Sequence, residues 1–463
     1  MTIRKGLKIF WLTIVSICVF LFAVALTLQM PQVQTFIARK AAGAVADKLD
    51  GDISFEKIHL QPFRTLLLKN VVIIDRNPAY DAIDSTKARV DTFFRAEYII
   101  AKFTIDGLFR NQGIHLDKAT ITDAEMNLVL EDNFQGDKDK FNNLSRIFRL
   151  KKKEVKNTSD KELFHIRKVE ISGFTFRMLN YSSDKTPFRG GINWNDLDIS
   201  DIELKANELQ FKGGVMSGGL EELSFREKSG YICHEISGSA KVGNGKTIVK
   251  DFRLKDPWSD LNLPLFMMSY ADIYAFNDYI AKVRMDAEFG TSVVDFQTIK
   301  YFSPELEDNR LVIDVKSGKF GGTVDDFTVS DMMVSSRSGS FEGIISGRMT
   351  GIPEIKDTRI DAKIQDFTIT SAGLSHFVTQ WMREGSLDLG KFAPGTSFNI
   401  NAHAKGLLDR LDVEADIRSA IGNVKGDIRL EDIITEGTQI GISGKVSTED
   451  LDVGKVIGQK IIG

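Results

Sequence analysis

Three groups of residues in this chain have the types that chemistry uses. The first is AKVGNGKT, Ala240 to Thr247, which matches a permissive phosphate-binding loop. Such a loop works because backbone N–H groups and a helix N-terminus converge on phosphate, so a strand must precede it and a helix must follow. Here IVKDFRL follows and alternates like a strand, and Asn244-Gly245 is a strong hairpin signal. The spacing predicts a hairpin and no nucleotide site. The second group is the histidines, at 59, 115, 165, 234, 376 and 403, with no i, i+4 pair and no cysteine cluster beside them. Cys233 and His234 sit together in the strand-like YICHEI, where neighbours point to opposite faces, so they do not form a metal pair. The third group is acidic, DISDIE and LEDNR, and lacks calcium-loop spacing. With no nucleophile motif either, the expectation is no enzyme: no catalytic residue, no metal, no cofactor and no nucleotide.

The elements that would position any site are strands. With 38 Gly, 32 Phe and only 9 Pro in 463 residues, 42% hydrophobic and 27% charged, the composition is that of an ordered chain rich in strands and turns. A net charge of −4 gives no sign of nucleic-acid binding. Period-two alternation dominates after Gly51. FNINAHAKG puts Phe398, Ile400, Ala402 and Ala404 on one side, and LDVEADIRS does the same with Leu411, Val413, Ala415 and Ile417. A hairpin around Gly406 to Asp409, with 404 opposite 411, 402 opposite 413 and 400 opposite 415, keeps every apolar residue on one face. Leu311, Ile313 and Val315 repeat the pattern, as do Ile360, Ala362 and Ile364, and Met126, Leu128 and Leu130. The fold class expected is mainly β, an antiparallel sheet with one apolar face.

The N-terminus is different. Ile9 to Leu28 is an apolar run free of charge, long enough to cross a bilayer, with Arg4, Lys5 and Lys8 before it. That asymmetry predicts a cytoplasmic N-terminus and an exported remainder. The rival reading is a cleaved signal peptide, since Ala23-Val24-Ala25 fits a cleavage site; the run continues past it, which favours an anchor. From Pro31, apolar residues at Val33, Phe36, Ile37, Ala44 and Val45 fall on one helical face, ending at Gly51. This predicts an amphipathic helix over 31–50, at the membrane surface.

Two stretches interrupt the strands. Residues 137–162 combine a short helical pattern through Phe141, Leu144, Ile147 and Phe148 with a lysine-rich linker, and 374–385 is another helix-like piece. KIQDFTITSAGLSHFV and KVSTEDLDVGKVIG share a strand, an acidic turn and a small-residue helical start, read as one structural unit used more than once. The organisation is therefore 1–30 cytoplasmic tail and anchor, 31–50 helix, 51–136 first β segment, 137–162 linker and 163–463 further β repeats. An apolar sheet face must be covered by a second sheet, by helices or by something that is not protein. Periodicity leaves a sandwich and an open trough both standing.

The order of these features, from the anchor through PQVQTFIARKAAGAVADKLDGDISFEKIHL to LLLKNVVIID, resembles the start of AsmA-like proteins, and TamB-like proteins in particular. LFRNQGIHLDKATITDAEMNLVLED and FHIRKVEISGFTFRMLN extend the resemblance over roughly residues 1–230. It implies an elongated, curved, taco-like hydrophobic groove standing on the inner membrane, with its bulk in the periplasm, conducting phospholipid toward the outer membrane. The groove would touch acyl chains through Leu311, Ile313, Val315, Ile360, Ala362, Ile364, Phe398, Ile400, Ala402, Leu411, Val413, Ala415 and Ile417. Val33, Phe36, Ile37, Ala44 and Val45 would close its membrane end. TamB-like members also imply an outer-membrane assembly-factor barrel as partner, and with it a second reading, a scaffold for barrel assembly that conducts no lipid. The characteristic C-terminal domain of long TamB-like proteins has no counterpart here, which leaves an N-terminal portion and a short relative as alternatives.

Overall fold

The structure is a computed structural model. It describes residues 51–61, 64–75, 92–104, 114–131, 141–147, 162–180, 191–193, 196–271, 275, 278–302, 311–352, 354–375, 396–434 and 440–452. The anchor expected over 9–28 and the helix expected over 31–50, with Val33, Phe36, Ile37, Ala44 and Val45, fall outside these residues. Among the described residues no helix is long and apolar enough to cross a membrane. The chain divides into two units, Met1–Ile232 and Cys233–Gly463, and both are built mainly of strands.

In the first unit, β1 (Gly51–Ser54) and β2 (Lys57–Gln61) both pair with β3 (Thr65–Asp75). β3, β4 (Thr92–Phe103) and β5 (Ile114–Glu131) run antiparallel. β7 (Glu162–Asn180) then pairs parallel to β5, before β8 (Asp196–Lys212) and β9 (Val215–Glu227) resume antiparallel pairing. The expected antiparallel sheet is thus a mixed one. A parallel neighbour requires the chain to return to the end where it started, and the long connection over 132–161 makes that possible.

Part of that connection packs on β5. β6 (Phe141–Asn142) pairs with its last residues, and α1 (Asn143–Ile147) follows. The helical pattern through Phe141 and Leu144 is realised only as this five-residue turn. Asn143, fully buried, accepts from Val129 N–H at 3.0 Å and donates to Asn127 O at 2.8 Å, completing the backbone bonds of β5 as a strand would. The alternation on β5 is corrected accordingly. Asn127 and Val129 are the buried positions, while Met126 and Leu128 are only half-buried.

The second unit is simpler. After β10 (Ile232–Cys233) at the boundary come β11 (Glu235–Gly243), β12 (Lys246–Lys255) and β13 (Asp260–Ser269). Next are β14 (Arg284–Phe289) and β15 (Ser292–Asp295), then β16 (Val312–Gly322), β17 (Asp326–Ser336), β18 (Phe341–Thr350), β19 (Arg359–Thr370), β20 (Ser397–Leu407), β21 (Arg410–Ser419), β22 (Gly422–Glu431) and β23 (Gly441–Glu449). From β11 onward the strands form an antiparallel meander, with β14 and β15 together filling one place between β13 and β16. Two short helices, α2 (Tyr279–Lys282) and α3 (Phe296–Ile299), flank that place. Of the helix-like piece near 374–385, residues 371–375 form one helical turn and the remainder lies outside the described residues.

Two hairpins test the sequence reading. AKVGNGKT joins β11 to β12 through Asn244 and Gly245, both at positive φ (54° and 70°), with Gly243 opposite Lys246. This is the primed turn whose twist suits a hairpin. The β20–β21 hairpin turns at Leu408 and Asp409, so 404 faces 413, 402 faces 415 and 400 faces 417. The expected register is two residues off because the turn is tighter than expected. A slip of two preserves the face, so the apolar side stands.

A feature that alternation hides recurs along the strands. Asn70, Asp123, Asp201, Glu208, Asp251, Asp331 and Asp366 all lie inside strands with φ between 47° and 52°, and all are exposed. Left-handed backbone is costly for residues with a Cβ and least so for Asn and Asp. In β19 the result is a bulge. Ile364 faces Ala402 and Phe367 faces Ile400, so a step of three residues on β19 matches a step of two on β20. The extra residue keeps Ile364, Phe367 and Ile369 on one face. Polar side chains across the strand satisfy the bulge amides, with Asp366 N–H donating to Asn401 Oδ1 at 2.9 Å and Asp331 N–H to Ser346 Oγ at 2.8 Å.

Candidate apolar binding face

The pairing of the second unit aligns the apolar sides of successive strands. One row runs Met349, Ile360, Gly406, Leu411, Leu430 and Ile442, each opposite the next. The next runs Gly347, Ala362, Ala404, Val413, Ile428 and Gly444, and a third runs Ile345, Ile364, Ala402, Ala415, Gly426 and Val446. A fourth holds Phe367, Ile400, Ile417 and Val424. Small residues cluster in the two middle rows, between bulkier ones. Further back, Ile313 and Val315 face Ser336 and Val334, and Phe320 faces Val329 and Ala287.

Every expected groove residue that lies in a strand therefore falls on one face: Ile313, Val315, Ile360, Ala362, Ile364, Phe398, Ile400, Ala402, Leu411, Val413, Ala415 and Ile417. Leu311 lies just before β16, and its carbonyl accepts from Phe296 N–H at 3.1 Å. Sequence reading missed Phe367 and Ile369, because the bulge at Asp366 breaks the alternation. It also missed the contributions of β17, β18 and β22. The available signal was a recurring polar-Asp-apolar-x-apolar pattern, as in SDMMV, QDFTI and KDFRL.

Charge is confined to the other face. Arg348 holds Asp326 through two bonds of 2.8 and 2.6 Å, Arg253 holds Asp260 at 3.0 and 2.7 Å, and Arg429 holds Asp412 at 2.7 Å. His403 meets Asp361 at 2.6 Å. Hydrogen bonds from Arg348, Arg253, Arg429 and His403 hold Asp326, Asp260, Asp412 and Asp361, respectively, below the usual carboxylate range. By register, no Asp, Glu, Lys or Arg of β16 to β23 shares the apolar face.

Burial shows how far protein covers that face. Val315, Val334, Ile369 and Phe398 form a buried belt near one end of their strands. Ile360, Ile364, Ile400, Leu411, Val413, Ile417, Val424, Ile428 and Leu430 remain half-buried. On the last strand Ile442 is 68% and Val446 61% exposed. The inner face of a two-sheet sandwich would bury these positions as it packed against its partner.

The residues singled out for chemistry are dispersed or already satisfied. Cys233 is buried while its neighbour His234 is exposed, and burial pushes the Cys233 thiol up to about 12. The structure does join two histidines that are 50 positions apart in sequence. His115 and His165 are paired on β5 and β7, with ring centres 6.4 Å apart, and His165 reaches Glu208 at 2.7 Å. A hydrogen bond from Gln210 holds the adjacent Glu162 below the usual range. Among the described residues no cluster of His, Cys, Asp or Glu is arranged to hold a metal ion. Asp256, Ser259 and Thr298 form a buried polar knot in which Asp256 accepts from Ser259 N–H at 2.6 Å and Thr298 Oγ1–H at 2.7 Å. Its bonds anchor the start of β13 to α3, which accounts for it structurally. No family model, curated protein or solved structure matches the chain.

Proposed function

We propose that this chain is a membrane-anchored periplasmic protein that carries phospholipid along an apolar β-groove toward the outer membrane. The observation that supports this best is a continuous, uncharged and half-exposed face crossing β16 to β23, with ion pairs confined to the opposite side. Acyl chains are the non-protein material that such a face suits, because burying apolar surface is favourable and needs no specific partner atoms. The small residues of the middle rows leave room between the bulkier flanking ones. The resemblance to AsmA-like proteins and the apolar run over 9–28 support the cellular setting, with the N-terminus in the cytoplasm and the helix over 31–50 at the mouth of the groove. No catalytic residue is needed for this function.

The test is direct. Lipids extracted from the purified full chain are identified by mass spectrometry, for the parent, Val413→Glu and the outward control Glu414→Val. Phospholipid in the parent and the control, with most of it lost in a folded Val413→Glu, is the expected result. A parent free of lipid, or a folded Val413→Glu that keeps its full load, ends the conduit reading and leaves the barrel-assembly scaffold.

A further inference from the structure

Among the described residues, the last strand of the second unit has one edge that pairs with no other strand. β23 is nine residues long and pairs with β22 on one side; on the other it meets no strand among the described residues. After Asp450 the chain turns back across the end of β22, with Asp452 N–H donating to Ile421 O at 2.9 Å, so residues 450–452 do not lie along the edge. Native edge strands are commonly blunted by breaks, prolines or bulges. The edge formed by β1 and β2 is broken in this way into four and five residues, whereas β23 is continuous, lacks proline and carries Ile442 and Val446, the two most exposed large apolar side chains among the described residues.

From this we infer that β23 pairs antiparallel with β23 of a second copy, centred on Gly444. A two-fold antiparallel pair can form only where each residue meets one of the same parity, which leaves few registers. Centred on Lys445, the pair sets two ammonium groups opposite each other. Centred on Val446, it sets Ile442 against Asp450. Centred on Ser443, it sets Ile442 against Gly444. Only the centre at Gly444 sets Ile442 of each copy against Val446 of the other, with Ser443 opposite Lys445. Both apolar pairs then lie on the same side as the apolar face, which continues across the junction. The inference rests on β23 alone and stands whether or not the face carries lipid.

A single strand pair is a small interface, so self-association in the micromolar range is expected. Sedimentation of the full chain in detergent, across roughly 1–100 μM, should show a monomer–dimer equilibrium. Val446→Lys should abolish the dimer while leaving Tm within about 2 °C, because the side chain is already mostly exposed. Within one strand, positions 442 and 446 lie about 13 Å apart, beyond disulfide reach. Ile442→Cys/Val446→Cys should therefore give an oxidised dimer, and neither the parent nor Ile442→Cys alone should do so. A parent that stays monomeric at the highest concentration overturns the inference. So does a dimer indifferent to Val446→Lys, a double variant that forms no crosslink, or an edge filled only by a different protein.

Discussion

Val129 and Val413 are the same residue in the same kind of strand, yet Val129 is fully buried and Val413 is half-exposed. The difference comes from the connections. In the first unit, the crossover that permits parallel pairing of β5 and β7 is long enough to return α1, and Asn143 and Ile147 are fully buried there. In the second unit, the β20–β21 and β21–β22 turns hold two residues each and have nothing to spare for a cover. Coverage of an apolar strand is thus decided by the length of the loops beside it as much as by the strand.

The sharpest test of that contrast is a charge on each side of it. Val129→Glu should lower the stability of the first unit by about 3 kcal/mol or more, since a carboxylate there has neither water nor a partner. Ile428→Glu, on the half-exposed face, should cost about 1 kcal/mol. Thermal melts combined with hydrogen exchange resolved to each unit would measure both. Equal losses would mean that the second face is covered after all. Next in size is the plug itself. Asn143→Ala removes two buried hydrogen bonds to β5 and should cost about 1–3 kcal/mol. No loss at Ala would show that β5 holds its burial without the plug.

How much of this was legible in the sequence follows from the same physics. Alternation identified the apolar side of β19, β20 and β21 because side-chain direction has a period of two and survives even the two-residue error at Leu408–Asp409. It could not reveal the parallel pairing of β5 with β7, since strand direction leaves no mark on side-chain pattern. Nor could it show that Asn127, a polar residue, is buried two places from Val129. Its side-chain amide donates to Thr92 O at 2.9 Å and its backbone carbonyl accepts from Asn143 Nδ2–H at 2.8 Å, partners 35 and 16 positions away in sequence. The left-handed residues were visible as letters but read as interruptions. At Asp366 the interruption preserves the face.

That feature supplies the third test. Asp366→Val places a β-branched side chain in left-handed backbone and should cost about 1–2 kcal/mol, whereas Asp366→Asn should be nearly neutral. Equal stabilities in urea melts would show that the bulge relaxes away. The smallest effect belongs to the polar face. Asp412, Asp361 and Asp326 have folded-state values depressed below the ordinary 3.8, chiefly through hydrogen bonds from Arg429, His403 and Arg348 respectively. Their contribution is present above that value and is lost as pH falls through the depressed one. Asp412→Asn should therefore narrow the gap between melts at neutral and strongly acidic pH, only slightly because the pair is exposed. A variant whose acid sensitivity matches the parent's would remove Asp412 from the account.

The meander of the second unit also has a consequence for how such a chain is made. Among the described residues, each strand from β17 to β22 bonds only to the strand before it and the strand after it, so these contacts join strands consecutive in sequence. Closing such contacts costs little loop entropy, and each hairpin can dock as soon as its second strand is available. A chain emerging N-terminus first during synthesis presents β17, then β18, then β19, each with its earlier partner already in place. Assembly can keep pace with emergence, and none of these strands has to wait for a distant segment still to be made.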